Sequence, residues 1–223
     1  MTTAAALDDR LVLAFDTGSP ITSVAVARGG AVVVEQAVER AGSSDSLLAL
    51  IDAALARAGA VARAMDAICV LRGPGSFTGL RIGLATALGL HQALGVRVAA
   101  MPTLRVLAEA SDPEAERVIA VVDALRGEWF AQVFERRPEL VEEGPARILG
   151  AGAVRELAAE TVIGFGASRL IADLDGPRLR AMEPPPLAAL AARLAAGWLT
   201  WDPALLTQPL YLRPPPTTPS ARV

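Results

Sequence analysis

The run Gly73-Pro74-Gly75-Ser76-Phe77-Thr78-Gly79-Leu80-Arg81-Ile82-Gly83 decides how this chain folds. It stands between the apolar stretch Ala67-Ile68-Cys69-Val70-Leu71 and a helical pattern over residues 76–94. A strand, a tight turn and a long helix follow from that order. Such a turn suits two jobs. It can offer backbone N–H groups to an anion at the helix start. It can also let the helix press against another surface, because Gly79 and Gly83 carry no side chain.

Upstream, residues 11–15, 21–27 and 31–38 read as three antiparallel strands, with Gly29-Gly30 as a hairpin turn. Ser43-Ser44-Asp45-Ser46 offers helix caps, and Leu47, Leu48, Ile51, Leu55 and Ala58 follow helical spacing up to Gly59. Downstream, residues 96–100 read as a strand, and a short helix begins at Thr103 and ends near Ala110. The polar residues 111–116 then mark a boundary, and the pattern restarts. Strands are expected over 118–122 (ending at Asp123), 128–135 and 161–163, with an extended piece at 146–149. Helices are expected over 154–159 and 187–198. Two similar α/β lobes are therefore expected, residues 1–110 and 111–213, with 214–223 a flexible tail.

Composition narrows the function. The chain has 223 residues, is 52% hydrophobic and carries a net charge of −3. That balance argues against a dedicated nucleic-acid surface. All 21 basic residues are arginine, so a lysine-dependent P-loop or Schiff base is excluded. One cysteine, Cys69, allows no internal disulfide and fits a reducing compartment. No signal peptide or membrane span is expected, and the location read from this is the cytoplasm. One histidine, His91, and one cysteine cannot make the usual nitrogen- or sulfur-rich zinc site, so no metal site is expected. No Ser/His/Asp spacing points to a catalytic triad, and no catalytic residue is assigned.

Asp16-Thr17-Gly18-Ser19 ends the first strand, and Asp123 ends the corresponding strand of the second half. One Asp per lobe suits a phosphotransferase cleft, but an Asx turn accounts for each as well. In the helix after the glycine-rich turn, Gly79, Gly83 and Ala87 recur every four residues and form one smooth stripe. A helix apolar nearly all round needs cover on its outer face. The preceding Ala/Leu-rich helix has the same need, and together they suggest an intermolecular helix bundle.

The glycine-rich phrase closely resembles the signature of the TsaB (YeaZ) family. Leu13-Ala14-Phe15-Asp16-Thr17, Asp123-Ala124-Leu125-Arg126-Gly127-Glu128 and Pro209-Leu210-Tyr211-Leu212-Arg213 are similar to further family segments in order and spacing. The resemblance implies the two-lobed fold of the sugar kinase, Hsp70 and actin superfamily, ribonuclease H-like, with mixed sheets flanked by helices. It implies a non-catalytic subunit in the synthesis of N6-threonylcarbamoyladenosine at position 37 of tRNAs reading ANN codons. Its partners would be the transferase TsaD and the ATPase TsaE, with tRNA met only through the complex. A homodimer through the same helices is expected when TsaD is absent. No cofactor is assigned, and room is left for a nucleotide at the partner interface.

The interface expected on this basis comprises Leu47, Leu48, Ile51, Leu55, Phe77, Thr78, Gly79, Arg81, Ile82, Gly83 and Ala87. Asp16, Thr17, Gly18, Asp123, Gly164 and Gly166 are expected to be vestigial nucleotide loops. The alternative is a small-molecule kinase of the same superfamily that uses the Asp16 and Asp123 turns. A metallopeptidase lacks ligands.

Overall fold

The computed structural model describes residues 10–39, 44–157, 159–172, 180–195, 197–198 and 200–213. Two five-stranded mixed sheets have the same plan. In the first, β1 (Leu11–Asp16), β2 (Ile21–Arg28) and β3 (Ala31–Glu39) form an antiparallel meander. β4 (Ala67–Leu71) and β5 (Arg97–Met101) then add parallel to β1, giving the order β3-β2-β1-β4-β5. In the second, β6 (Arg117–Leu125), β7 (Glu128–Arg136) and β8 (Leu140–Gly150) repeat the meander. β9 (Thr161–Ile163) and β10 (Arg180–Met182) repeat the parallel pair, giving β10-β9-β6-β7-β8.

Helices fill the layers around the sheets. α1 (Ser44–Arg57) and α2 (Phe77–Leu94) cover the outer face of the first sheet, where Phe15, Ile68 and Val70 meet Leu47, Ile51 and Leu84. α4 (Ala151–Arg155) and α5 (Ala167–Ala172) lie on the outer face of the second, around Ile119, Val121 and Val162. α3 (Thr103–Glu109) and α6 (Leu187–Leu194) lie between the sheets, and one continuous core joins both lobes there. These two trade sides: α3 follows β5 yet packs on β6 and β7, while α6 follows β10 yet packs on β1 and β2. The exchange ties each half of the chain to the other through buried side chains. Alternation along β1 explains it, since Val12 and Ala14 face this middle layer while Leu13 and Phe15 face α1 and α2.

Local expectations differ from the structure in several places. β8 runs from Leu140 rather than from 146, because Val133, Phe134, Glu135 and Arg136 give it partners across β7. The helix expected at 154–159 is α4, starting at Ala151. α6 ends at Leu194, short of 198. α5 and β10 have no counterpart in the expectations, being only six and three residues long. The expected tail at 214–223 lies outside the described residues, as does Ser43 of the expected cap region.

Candidate functional site

The glycine-rich turn is packed against its own chain. Ser76 caps α2, its side chain accepting from Gly79 N at 3.3 Å. Its backbone N–H donates to Gly18 O at 2.8 Å. The Thr17 hydroxyl donates to Gly79 O at 2.7 Å. A Cβ at Gly79 would lie 1.9 Å from Thr17 O, and one at Gly83 would lie 2.4 Å from Thr17 Oγ1. At Gly75 it would meet Gly18 O at 2.7 Å. The β1–β2 turn thus lies in the groove the glycines leave open.

The residues expected at the interface divide into a buried set and an exposed set. Gly83 and Ala87 are buried under the β1–β2 turn and the first sheet, and Gly79 turns its bare Cα toward Thr17. Leu47, Ile51 and Leu55 are 0%, 2% and 2% exposed, inside the first lobe's core. Leu48, Thr78 and Arg81 are exposed, and Phe77 and Ile82 are half-buried.

The outward face carries a second smooth stripe that the every-fourth-residue reading missed. On α2, Ala85 and Gly89 are exposed, and nothing lies within 4 Å of a Cβ at Gly89. On α1, which packs beside α2, Leu48, Ala49 and Ala53 are exposed, with the carboxylate of Asp52 exposed among them. Extending Arg81 by four gives Ala85 and Gly89, so the signal was present in the sequence one helical face away. A groove of about 620 Å³ runs along α2 against the C-terminal segment, lined by Arg81, Leu84, Ala85, Leu88, Pro209 and Tyr211 among others. At its end the Arg81 guanidinium lies 4.0 Å from the Phe77 ring centre, and Phe77 and Tyr211 stack at 4.8 Å.

The loops expected to be vestigial are occupied by their own neighbours. Asp16 is fully buried; Gly18 N donates to its Oδ1 at 2.8 Å, and Oδ2 has no hydrogen-bond partner. Desolvation pushes its carboxyl above the usual range, against the lowering pull of the Ser19 hydroxyl and the Gly18 and Ser19 N–H groups. Asp123 accepts from Leu125 N at 2.7 Å and pairs with Arg169 at 2.6 Å. A Cβ at Gly164 would meet Val121 O at 2.0 Å, which fixes that loop against β6. The N–H groups of Gly166 and Ser168 donate to the Glu183 carboxylate at 2.9 and 3.1 Å. Glu183 therefore takes the donors that an incoming anion would use.

The buried Asp16 makes stability depend on pH. Its folded pKa is raised, so the favourable contribution of its neutral form is complete below the unfolded value, about 4. It is lost as pH rises from there through the folded pKa. Asp16→Asn should therefore gain thermal stability relative to the native chain between pH 4 and pH 8, read as the difference in Tm at the two values. An unchanged difference would show that Asp16 ionises as freely folded as unfolded.

His91 and Cys69 are structural. His91 Nδ1 lies 2.7 Å from Val96 O, and burial pushes the Cys69 thiol up to about 12. Among the described residues no group of three His, Cys, Asp or Glu could hold a metal ion. No described helix is long and apolar enough to cross a membrane.

A duplicated meander-plus-parallel sheet with exchanged middle helices defines a two-lobed protein of the sugar kinase and actin type. Residues 23–159 match the family described as TsaD: tRNA N6-adenosine threonylcarbamoyltransferase. The Haemophilus influenzae tRNA threonylcarbamoyladenosine biosynthesis protein TsaB is 35% identical over 56% of this chain and 55% of its own length. The chain thus spans about half of that relative. An uncharacterized Mycobacterium tuberculosis protein is 32% identical over 94% of this chain and 95% of its own. A Pseudomonas aeruginosa crystal structure, described as similar to peptidase YEAZ, superposes with a TM-score of 0.76 at 28% identity. It covers 92% of this chain and 100% of that one. The chain belongs to the TsaB (YeaZ) family.

Proposed function

We propose that this protein is a non-catalytic partner subunit in the formation of N6-threonylcarbamoyladenosine at position 37 of tRNAs reading ANN codons. It works in the cytoplasm, holds and activates a TsaD-type transferase, and helps recruit a TsaE-type ATPase. The two lobes, residues 1–110 and 111–213, divide the work, with the first carrying the partner face. The observation that carries this reading is the smooth outer face of α1 and α2, where Leu48, Ala49, Ala53, Ala85 and Gly89 stand exposed on two adjoining helices. Small exposed residues let a partner's helices approach closely, and an exposed apolar face of this kind seeks cover.

The small-molecule kinase reading is weaker, because Asp16 is sealed from solvent and the Gly166 and Ser168 amides already hold Glu183. Light scattering tests the partner reading. The chain alone should run as a homodimer at micromolar concentration and convert to a heterodimer when the transferase is added. A persistent monomer that ignores the transferase would overturn it. Calorimetry with Mg-ATP should give no binding heat for the isolated chain; a saturable signal would favour the kinase.

A further inference from the structure

The C-terminal residues 210–213 cross from one lobe to the other. At their start Leu210 N donates to Arg72 O at 2.8 Å, and Arg72 Nη1 donates to Gln208 O at 3.0 Å. The Tyr211 ring stacks on Phe77 at 4.8 Å, and Arg81 Nε donates to its hydroxyl at 3.3 Å. All three anchors belong to the first lobe, at the end of β4 and the first turns of α2. Two residues on, Arg213 Nη1 donates to Ala124 O at 2.9 Å, and its other nitrogen pairs with Glu128. Both of these belong to the β6–β7 hairpin of the second lobe.

That hairpin is under backbone strain. Leu125, Arg126 and Gly127 have φ values of 65°, 58° and 76°, three left-handed residues in succession, two of them with side chains. A two-residue turn with positive φ at Arg126 and Gly127 suits a tight hairpin, but the register shifts between Asp123 and Leu125, so Ala124 is bulged out of the ladder just before it. Leu125 is also 69% exposed, so its side chain does little to fix it. Arg213 clasps the residue before the strained stretch and the residue after it.

We infer that residues 210–213 are a relay between the lobes, which couples the Phe77–Arg81 end of the α2 groove to the β6–β7 hairpin tip. Cutting the strap at either end releases the hairpin. The coupling is reciprocal, so a partner that moves Phe77 or Arg81 changes the order of the hairpin, and a ligand of the hairpin changes the groove.

Amide hydrogen exchange on the full chain tests it. Phe77→Ala, far from the hairpin in sequence, should speed exchange over residues 124–130 by about tenfold. Arg213→Ala should do the same. Phe77→Ala added to Arg213→Ala should bring no further increase, because both act through one strap. Tyr211→Phe keeps the ring stack but loses the Arg81 bond, so it should speed hairpin exchange by less than Phe77→Ala does. The β2–β3 turn at Gly29-Gly30 is the internal control and should not change. Unchanged hairpin exchange in Phe77→Ala would overturn the relay. So would a uniform rise across both sheets, which reports global destabilisation instead.

Discussion

Gly79→Ala should lose several kcal/mol of stability, on the order of a badly overpacked core, although it adds only one methyl group. The new Cβ would lie 1.9 Å from Thr17 O, a backbone atom held by the end of β1. A flexible side chain could rotate aside; this carbonyl cannot move without shifting the β1–β2 turn. The Thr17 hydroxyl would also lose its 2.7 Å bond to Gly79 O as the helix backs away. Helix propensity works the other way, favouring Ala over Gly by about 1 kcal/mol, and is outweighed. Urea denaturation gives the answer directly. A variant as stable as the native chain would mean that the turn is not seated in the groove.

Gly89→Arg should have the opposite profile. Nothing lies within 4 Å of its Cβ position, so the fold should accept arginine and gain about 1 kcal/mol of helix propensity. A long cation in the middle of a close-packed helix face should then block the partner. Paired with Leu48→Asp, which puts a charge on a residue that is 43% exposed on α1, it should weaken transferase binding at least 100-fold. That figure corresponds to about 3 kcal/mol, within the range of interface hot spots. Affinity is read by titration calorimetry, with circular dichroism confirming the fold. Retained affinity would move the partner site off α1 and α2.

These two glycines show how much of the site the sequence disclosed. The recurrence Gly79, Gly83, Ala87 correctly announces a close approach, but periodicity does not say whose backbone approaches. The answer lies with Thr17 and Gly18, about sixty residues away, and only the β1–β4 pairing brings them together. Leu47, Ile51 and Leu55 show the same limit, since an apolar position on an amphipathic helix first serves the chain's own sheet. The outward stripe of Ala85 and Gly89 is weak in sequence because small residues signal neither core nor surface.

The fold itself was more legible. The meanders, the two parallel additions and the restart after residue 111 follow from apolar runs and turn residues. The exchange of α3 and α6 between the sheets does not, because both helices are only seven or eight residues long and their apolar residues could cover either side. Nor does the filling of the second lobe's loop, where Glu183 reaches Gly166 and Ser168 from fifteen to seventeen residues away.

The proposed role is that of a subunit that supports a transferase and does not itself carry out the transfer. The measurement is threonylcarbamoyl transfer to tRNA from threonylcarbamoyl-AMP, with the transferase and ATPase supplied and this chain added or withheld. Addition of the native chain or of Asp123→Ala should raise modification to the same level, the Leu48→Asp/Gly89→Arg variant should not, and the chain alone should transfer nothing. Transfer by the chain alone, or loss of the stimulation in Asp123→Ala with the fold intact, would overturn that role.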